Sequence, residues 1–77
     1  MTSTFPDVNS KQMVKIAEKL GFKFVRQSGT SHVIYRREKD GRRTIIPIHG
    51  KKSVKRKTIK AFCRDLNITI EELRGML

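Results

Sequence analysis

The length and charge of the chain narrow its function before any motif is considered. Its 77 residues suffice for one small domain, and 18 Lys and Arg against 7 Asp and Glu give a formal net charge of +11. Such a charge favours a polyanionic partner, and we expect nucleic acid, because Lys and Arg release counterions from phosphates. The apolar runs are too short to span a membrane and the first residues lack a signal-peptide pattern, so we expect a cytoplasmic protein that does not bind membranes.

The cysteine and histidine content argues against a disulfide or a structural metal. Cys63 is the single cysteine, and it and the two histidines show no recognisable metal-ligand spacing. We therefore expect no metal and no cofactor. Cys63 falls among apolar residues at helical spacing, which indicates a small buried side chain rather than a nucleophile.

A helix is predicted after a short lead-in, residues 1–8, which shows no periodic pattern. Asn9 and Gln12 form a capping-box pattern at its start, although Ser10 could provide the cap instead. Gly21 is typical of the position just after a helix ends. Between these points the apolar residues repeat at helical spacing: Met13, Ile16, Ala17 and Leu20. We assign residues 9–77 to one domain.

Three strands follow, because the apolar period changes to two after Gly21. They are predicted over about 22–26, 31–37 and 43–48. Asp40-Gly41 suits the turn between the last two, and Pro47 favours an edge or strand-end position for the third. We interpret the apolar and aromatic residues at strand or helix spacing as core rather than as platforms for stacking bases: Phe22, Phe24, Ile34, Tyr35 and Phe62.

A second helix is predicted by the spacing of Ile59, Phe62, Cys63 and Leu66, with Asn67 as its stop. Thr69 and Glu72 then form a capping-box pattern for a short terminal helix. Basic residues dominate the segment just before the second helix and its first turn. Cations at a helix N-terminus are disfavoured by the positive end of the helix dipole. These basic residues are therefore better explained by binding of phosphate than by a contribution to helix stability. The predicted RNA-binding residues are Lys51, Lys52, Lys55, Arg56 and Lys57.

The predicted order of elements defines an α+β fold with a three-stranded antiparallel sheet, helices on one face and a short C-terminal helix. A helix, three strands and a helix resemble a double-stranded-RNA-binding domain. The segment Lys51-Lys52-Ser53-Val54-Lys55 resembles that family's KKxxK cluster, which contacts phosphates across the A-form major groove. One function open to the chain is therefore that of a non-catalytic double-stranded-RNA-binding module.

Three short segments carry a more specific resemblance. They are Leu20-Gly21-Phe22, Gly29-Thr30-Ser31-His32 and Pro47-Ile48-His49. Together they resemble, in the same order, segments of the HicA family, the toxins of bacterial toxin–antitoxin pairs, over residues 11–66. The family's motif has Ser directly after Gly, whereas Thr30 intervenes here.

The resemblance implies an endoribonuclease that cleaves mRNA without a metal and is paired with a HicB-type antitoxin. It places catalysis on His32, with Gly29 and Ser31 as motif neighbours, and histidine is suited to this role because it exchanges protons near neutrality. His49 is a candidate second acid or base, although a turn or RNA-contact role fits it equally. Without the resemblance, His32 would be interpreted as an ordinary strand histidine. The antitoxin is expected to present an acidic surface to so basic a partner.

Overall fold

The computed structural model describes residues 6–48, 50 and 52–77. Its elements are α1 (Ser10–Lys19), β1 (Lys23–Ser28), β2 (His32–Arg36), β3 (Arg43–Pro47), α2 (Arg56–Leu66) and α3 (Ile70–Gly75). The strands form one antiparallel sheet in the order β1-β2-β3, so β3 is an edge strand, as Pro47 predicts. The predicted α+β fold class is confirmed. Residues 1–5 of the predicted lead-in, His49 and Lys51 lie outside the described residues.

Helix α1 begins with the predicted capping box. The Asn9 side chain accepts a hydrogen bond from the Gln12 amide at 2.9 Å, and the Gln12 side chain accepts one from the Asn9 amide at 3.0 Å. Asn9 is therefore the cap rather than Ser10. The buried Ser10 hydroxyl instead donates to the Pro47 carbonyl, which joins the start of α1 to the end of β3.

The end of α1 follows from a single glycine. Gly21 has φ of +93°, and the amides of Gly21 and Phe22 donate to the carbonyls of Glu18 and Ala17 at 3.0 and 2.9 Å. This pattern is a Schellman motif, which requires a left-handed residue after the helix and therefore favours glycine. The motif also turns the chain so that Phe22 enters the core, where it is 1 % exposed.

The hydrophobic core lies between one face of the sheet and the helices. Helices α1 and α2 both contact β3, and the short α3 packs against α2. Burial raises the pKa of the Cys63 thiol, as expected for a side chain packed among apolar neighbours. The buried apolar residues are Val8, Met13, Ile16, Ala17, Phe22, Tyr35, Ile46, Val54, Ile59, Phe62, Cys63, Leu66 and Leu73.

Two residues predicted as core lie outside it. Phe24 is 57 % exposed, because the helices pack against β3 rather than over β1 at the far edge of the sheet. Its ring contacts Tyr35 edge-on, with centroids 5.9 Å apart. Ile34 alternates with the core residue Tyr35 along β2, so it lies on the opposite face of the sheet, paired with Ile45. The prediction of Phe24 and Ile34 as core is wrong.

An ion pair stabilises the connection between β2 and β3. Arg37 donates to the two carboxylate oxygens of Asp40 at 2.9 and 3.2 Å and to the Leu20 carbonyl at 2.9 Å. Its guanidinium lies 4.8 Å from the centre of the Phe22 ring. Gly41 follows with φ of +73°, as the Asp40-Gly41 turn predicts. The hydrogen bond from Arg37 lowers the pKa of Asp40 to about 2.

Replacing Asp40 with asparagine is expected to destabilise the fold at neutral pH and to matter less in acid. The folded-state pKa of Asp40 lies below the ordinary value of about 3.9, so its stabilisation is present above that pH. The stabilisation is lost as the pH falls from about 4 to about 2, because protonation removes the charge that Arg37 binds. Urea midpoints of the natural chain and Asp40→Asn should therefore converge between neutral pH and about pH 2. A difference between the two urea midpoints that stays constant over this pH range would contradict the linkage between the charge of Asp40 and stability.

Candidate nucleic-acid interface

His32 is the first residue of β2, and its position is set by pairing on both sides. It lies opposite Ser28 of β1 and Pro47 of β3. Core-facing Val33 and Tyr35 alternate with it, so the His32 side chain projects from the sheet face that the helices leave open, and it is exposed. Among the described residues, no hydrogen bond to the imidazole is found. The ring is therefore accessible to a ligand on that face.

The motif neighbours of His32 form the connection between β1 and β2. Gly29 has φ of +68°, which favours glycine there, and a side chain at this point would meet no atom within 4 Å. The side-chain Nε2 of Gln27 donates to the carbonyls of Gly29 and Thr30 at 3.3 and 3.4 Å. The Ser31 carbonyl accepts from the Ile48 amide at 2.7 Å, which continues the pairing towards the end of β3. The connection thus accommodates Thr30 while His32 keeps its register with β3.

A groove joins His32 to the start of α2. It encloses about 540 Å³ and runs between the end of β3 and the first turns of the helix. Lys55 and Lys57 line it together with His32, although more than twenty residues separate them in sequence. The other lining residues are Ile45, Pro47, Val54, Thr58 and Ala61. The groove therefore combines a proton-exchanging group with two cations.

The start of α2 is open to anions. Lys55 is the N-cap residue and makes no side-chain capping hydrogen bond, and the first turn contains no acidic residue. A helix N-terminus presents backbone N–H groups and the positive end of the dipole, which with lysines favours phosphate. Lys52 and Arg56, also predicted to bind RNA, are exposed beside it. Lys51 and His49 lie outside the described residues, so their predicted roles stay predictions.

The sequence prediction missed a second basic cluster. Lys23, Arg36 and Arg43 are directly paired across β1, β2 and β3, and all three are exposed. We call these three residues the basic row. Residues that pair directly in an antiparallel sheet share a face, and Arg36 alternates with core-facing Tyr35. The basic row therefore lies on the same open face as His32. The turn predicted at Asp40-Gly41 does not give this register, because a two-residue loop there would place Arg36 opposite Ile45 rather than Arg43.

A bulge in β1 brings one more cation to this face. The pairing shifts between Phe24 and Arg26, so that Val25 has no partner in β2. Because of this extra residue, Lys23 and Arg26 share the open face, although an odd spacing places side chains on opposite faces in a regular strand. Arg26 lies opposite Ile34, between the basic row and the level of His32.

Within residues 6–48, 50 and 52–77, no three His, Cys, Asp or Glu side chains come together so as to hold a metal ion. No helix in the described part of the chain has the length and apolar character needed to cross a membrane.

The fold and this surface define a small, strongly basic α+β domain with an exposed histidine in a lysine-lined groove. The family model for the HicA toxin of bacterial toxin–antitoxin systems matches residues 10–68, which is more than half of the chain. Among curated proteins, no match to the chain is found. The chain belongs to the HicA toxin family, so the resemblance noted in its motifs is confirmed. As the toxin of a toxin–antitoxin system, it has an antitoxin as its partner.

Proposed function

We propose that the protein is an endoribonuclease toxin that cleaves mRNA in the cytoplasm, with His32 as its general base and acid. The observation that carries this proposal is the exposed imidazole of His32 in one groove with Lys55 and Lys57. A polyanion held by the lysines would pass beside a group able to move a proton. Membership of the HicA family supports a toxic activity, and the exposed imidazole beside two lysines supports a ribonuclease.

The proposed reaction begins when neutral His32 removes the proton from a ribose 2′-hydroxyl. The 2′-oxygen then forms a bond to the adjacent phosphorus, and the bond from phosphorus to the 5′-oxygen breaks. The leaving 5′-oxygen takes a proton, either from protonated His32 or from His49. The products are a 2′,3′-cyclic phosphate and a 5′-hydroxyl, and no metal is required. General acid–base catalysis of this kind contributes about 10²- to 10⁴-fold to a rate.

The lysines act on the charge of the reacting phosphate. The pentacovalent intermediate carries more negative charge on its oxygens than the starting diester, so cations already in place stabilise it selectively. Lys55 and Lys57 line the groove with His32 and are placed for this role. Lys52, Arg56 and, by sequence, Lys51 add to the positive potential around the RNA backbone.

We also propose that the antitoxin is of the HicB type and covers the His32 groove with an acidic surface. A net charge of +11 on 77 residues favours an acidic partner, because complementary charge speeds association and excludes wrong partners. Occupation of the groove would displace RNA from His32 and so explain inhibition.

The decisive test uses a labelled single-stranded RNA and purified protein in the presence of a metal chelator. Cleavage is expected to persist in the chelator and to leave 2′,3′-cyclic phosphate ends. The matched control is the same RNA with one 2′-deoxynucleotide at a mapped cleavage site, and cutting at that site alone should stop. Tight binding of the RNA without any cleavage would instead indicate a non-catalytic RNA-binding module, the alternative that the fold allows. Cleavage that persists at the deoxy position would contradict attack by the 2′-oxygen.

A further inference from the structure

We propose that the basic row, Lys23, Arg36 and Arg43, is a binding site for the backbone of single-stranded RNA, away from the bond that His32 cleaves. The site consists of the open face of the sheet between the row and His32. The inference rests on the proposed function for the position of the cleaved bond, whereas binding of RNA by the row does not depend on cleavage.

The charges of the row call for an anionic ligand. Like charges directly opposite one another in a sheet destabilise it, and here three strands each place a cation at the same level. Lys23, Arg36 and Arg43 form no salt bridge with any described residue, whereas Arg37 and Arg42 both bind Asp40. The paired residues on this face of the three strands include no Asp or Glu. Phosphates would remove the repulsion that the fold leaves uncompensated.

The spacing of the row suits a nucleic-acid backbone that continues to His32. Neighbouring strands lie about 4.8 Å apart, so the three cations span roughly 10 Å across the sheet. Arg36 lies four residues from His32 in β2, which corresponds to about 13 Å along the strand, or about four stacked nucleotides. Lys55 and Lys57 line the groove together with His32. A strand that passes His32 would therefore meet cations both in the groove and at the row.

The surface between the row and His32 is apolar at its centre. Ile34 and Ile45 are paired there, Ile45 is 53 % exposed, and Arg26 lies beside Ile34. Bases can rest on this apolar pair while their phosphates reach the cations. The paired residues of this face include no Phe, Tyr or Trp, so base stacking on such rings does not select a sequence. Recognition here is through phosphates and tolerates different sequences.

The chemistry at His32 favours a single strand over a duplex. Attack by the 2′-oxygen requires it to lie in line with the bond that breaks, and a regular A-form helix holds it away from that line. Double-stranded RNA is also bound over about 16 base pairs, across two minor grooves. The His32 groove, with about 540 Å³ between β3 and α2, instead matches a backbone that can bend into it.

The test compares two triple variants of the full chain. Lys23→Gln/Arg36→Gln/Arg43→Gln removes the row, whereas Lys11→Gln/Lys15→Gln/Lys19→Gln removes three exposed charges from α1. Binding is measured by anisotropy with a short 2′-O-methyl single strand, which has no 2′-hydroxyl, against salt concentration. Loss of three phosphate contacts should reduce the slope of log K against log salt by about 2 and weaken binding about 100-fold at 0.1 M salt. The α1 variant should change the slope by less than half as much.

Further readouts distinguish failure of this inference from failure of the proposed function. With a cleavable RNA, the row variant should raise KM and leave kcat within about threefold, because its residues do not touch the reacting atoms. If the row and α1 variants weaken RNA binding equally, the row is only part of a general positive potential and the inference is overturned. It is also overturned if a duplex binds more tightly than the single strand. The same holds if the row variant binds RNA as the natural chain does and no longer binds the antitoxin. Absence of cleavage by the natural chain would contradict the proposed function and leave the binding test valid.

Discussion

Replacing His32 with alanine is expected to lower the rate of RNA cleavage by about 10²- to 10⁴-fold, the usual contribution of a general acid–base group. Growth arrest on expression of the toxin should disappear with it. The change falls on chemistry and not on binding, because Lys55 and Lys57 still line the groove. The Kd for a 2′-O-methyl single strand should therefore change by less than about threefold, since no phosphate-binding cation is removed. Single-turnover cleavage and anisotropy measure the two effects separately.

Three controls make the His32 result decisive. His32 is exposed at the start of β2, so its removal should change the free energy of unfolding by no more than about 0.5 kcal/mol. His32→Gln retains a polar side chain but cannot exchange a proton at neutral pH, and it should be as inactive as His32→Ala. His49→Ala measures the second proposed acid or base. Undiminished cleavage by both His32 variants, purified beside the natural chain, would refute the assignment.

Replacing Leu73 with alanine is expected to destabilise the protein by about 2–5 kcal/mol. Leu73 has no exposed surface, although it lies in the six-residue helix α3, beyond the segment matched by the family model. A chain of 77 residues has a total stability of only about 4–12 kcal/mol, so this loss is a large share of it. The melting temperature should fall by at least about 10 °C.

Leu77 provides the matched control for Leu73. It undergoes the same chemical change, leucine to alanine, but it is 45 % exposed. Its replacement should alter the free energy of unfolding by about 0.5 kcal/mol or less. Equal effects of the two substitutions in thermal denaturation would mean that α3 is not part of the cooperative core. A large effect of Leu73 alone would show that α3 stabilises the toxin domain.

The helices follow closely from the sequence because local interactions define their ends. The capping box of Asn9 and Gln12, and that of Thr69 and Glu72, form as their patterns predict. Asn67 ends α2 in the left-handed conformation, with φ of 59°. Each of these signals involves residues only a few positions apart, so no knowledge of the tertiary fold is needed to recognise it.

The strands were predicted less well, because their burial depends on what packs against them. The alternation of Phe22 and Phe24 resembles a half-buried strand, yet only Phe22 is buried. Both helices pack against β3, so β1 remains exposed at the far edge of the sheet. A period of two shows that side chains alternate between faces, but it does not show which strand the helices will cover.

The candidate site likewise combines features that short segments of sequence predict with features that depend on the tertiary fold. The basic character of the chain, the motif around His32 and the lysines before α2 are predictable without a fold, since they are properties of composition and of short segments. No local pattern predicts that His32 shares a groove with Lys55 and Lys57, because the path of the chain between β3 and α2 brings them together. The position of the basic row on the face of His32 also depends on the fold, since strand register and the bulge at Val25 arise from pairing between distant segments.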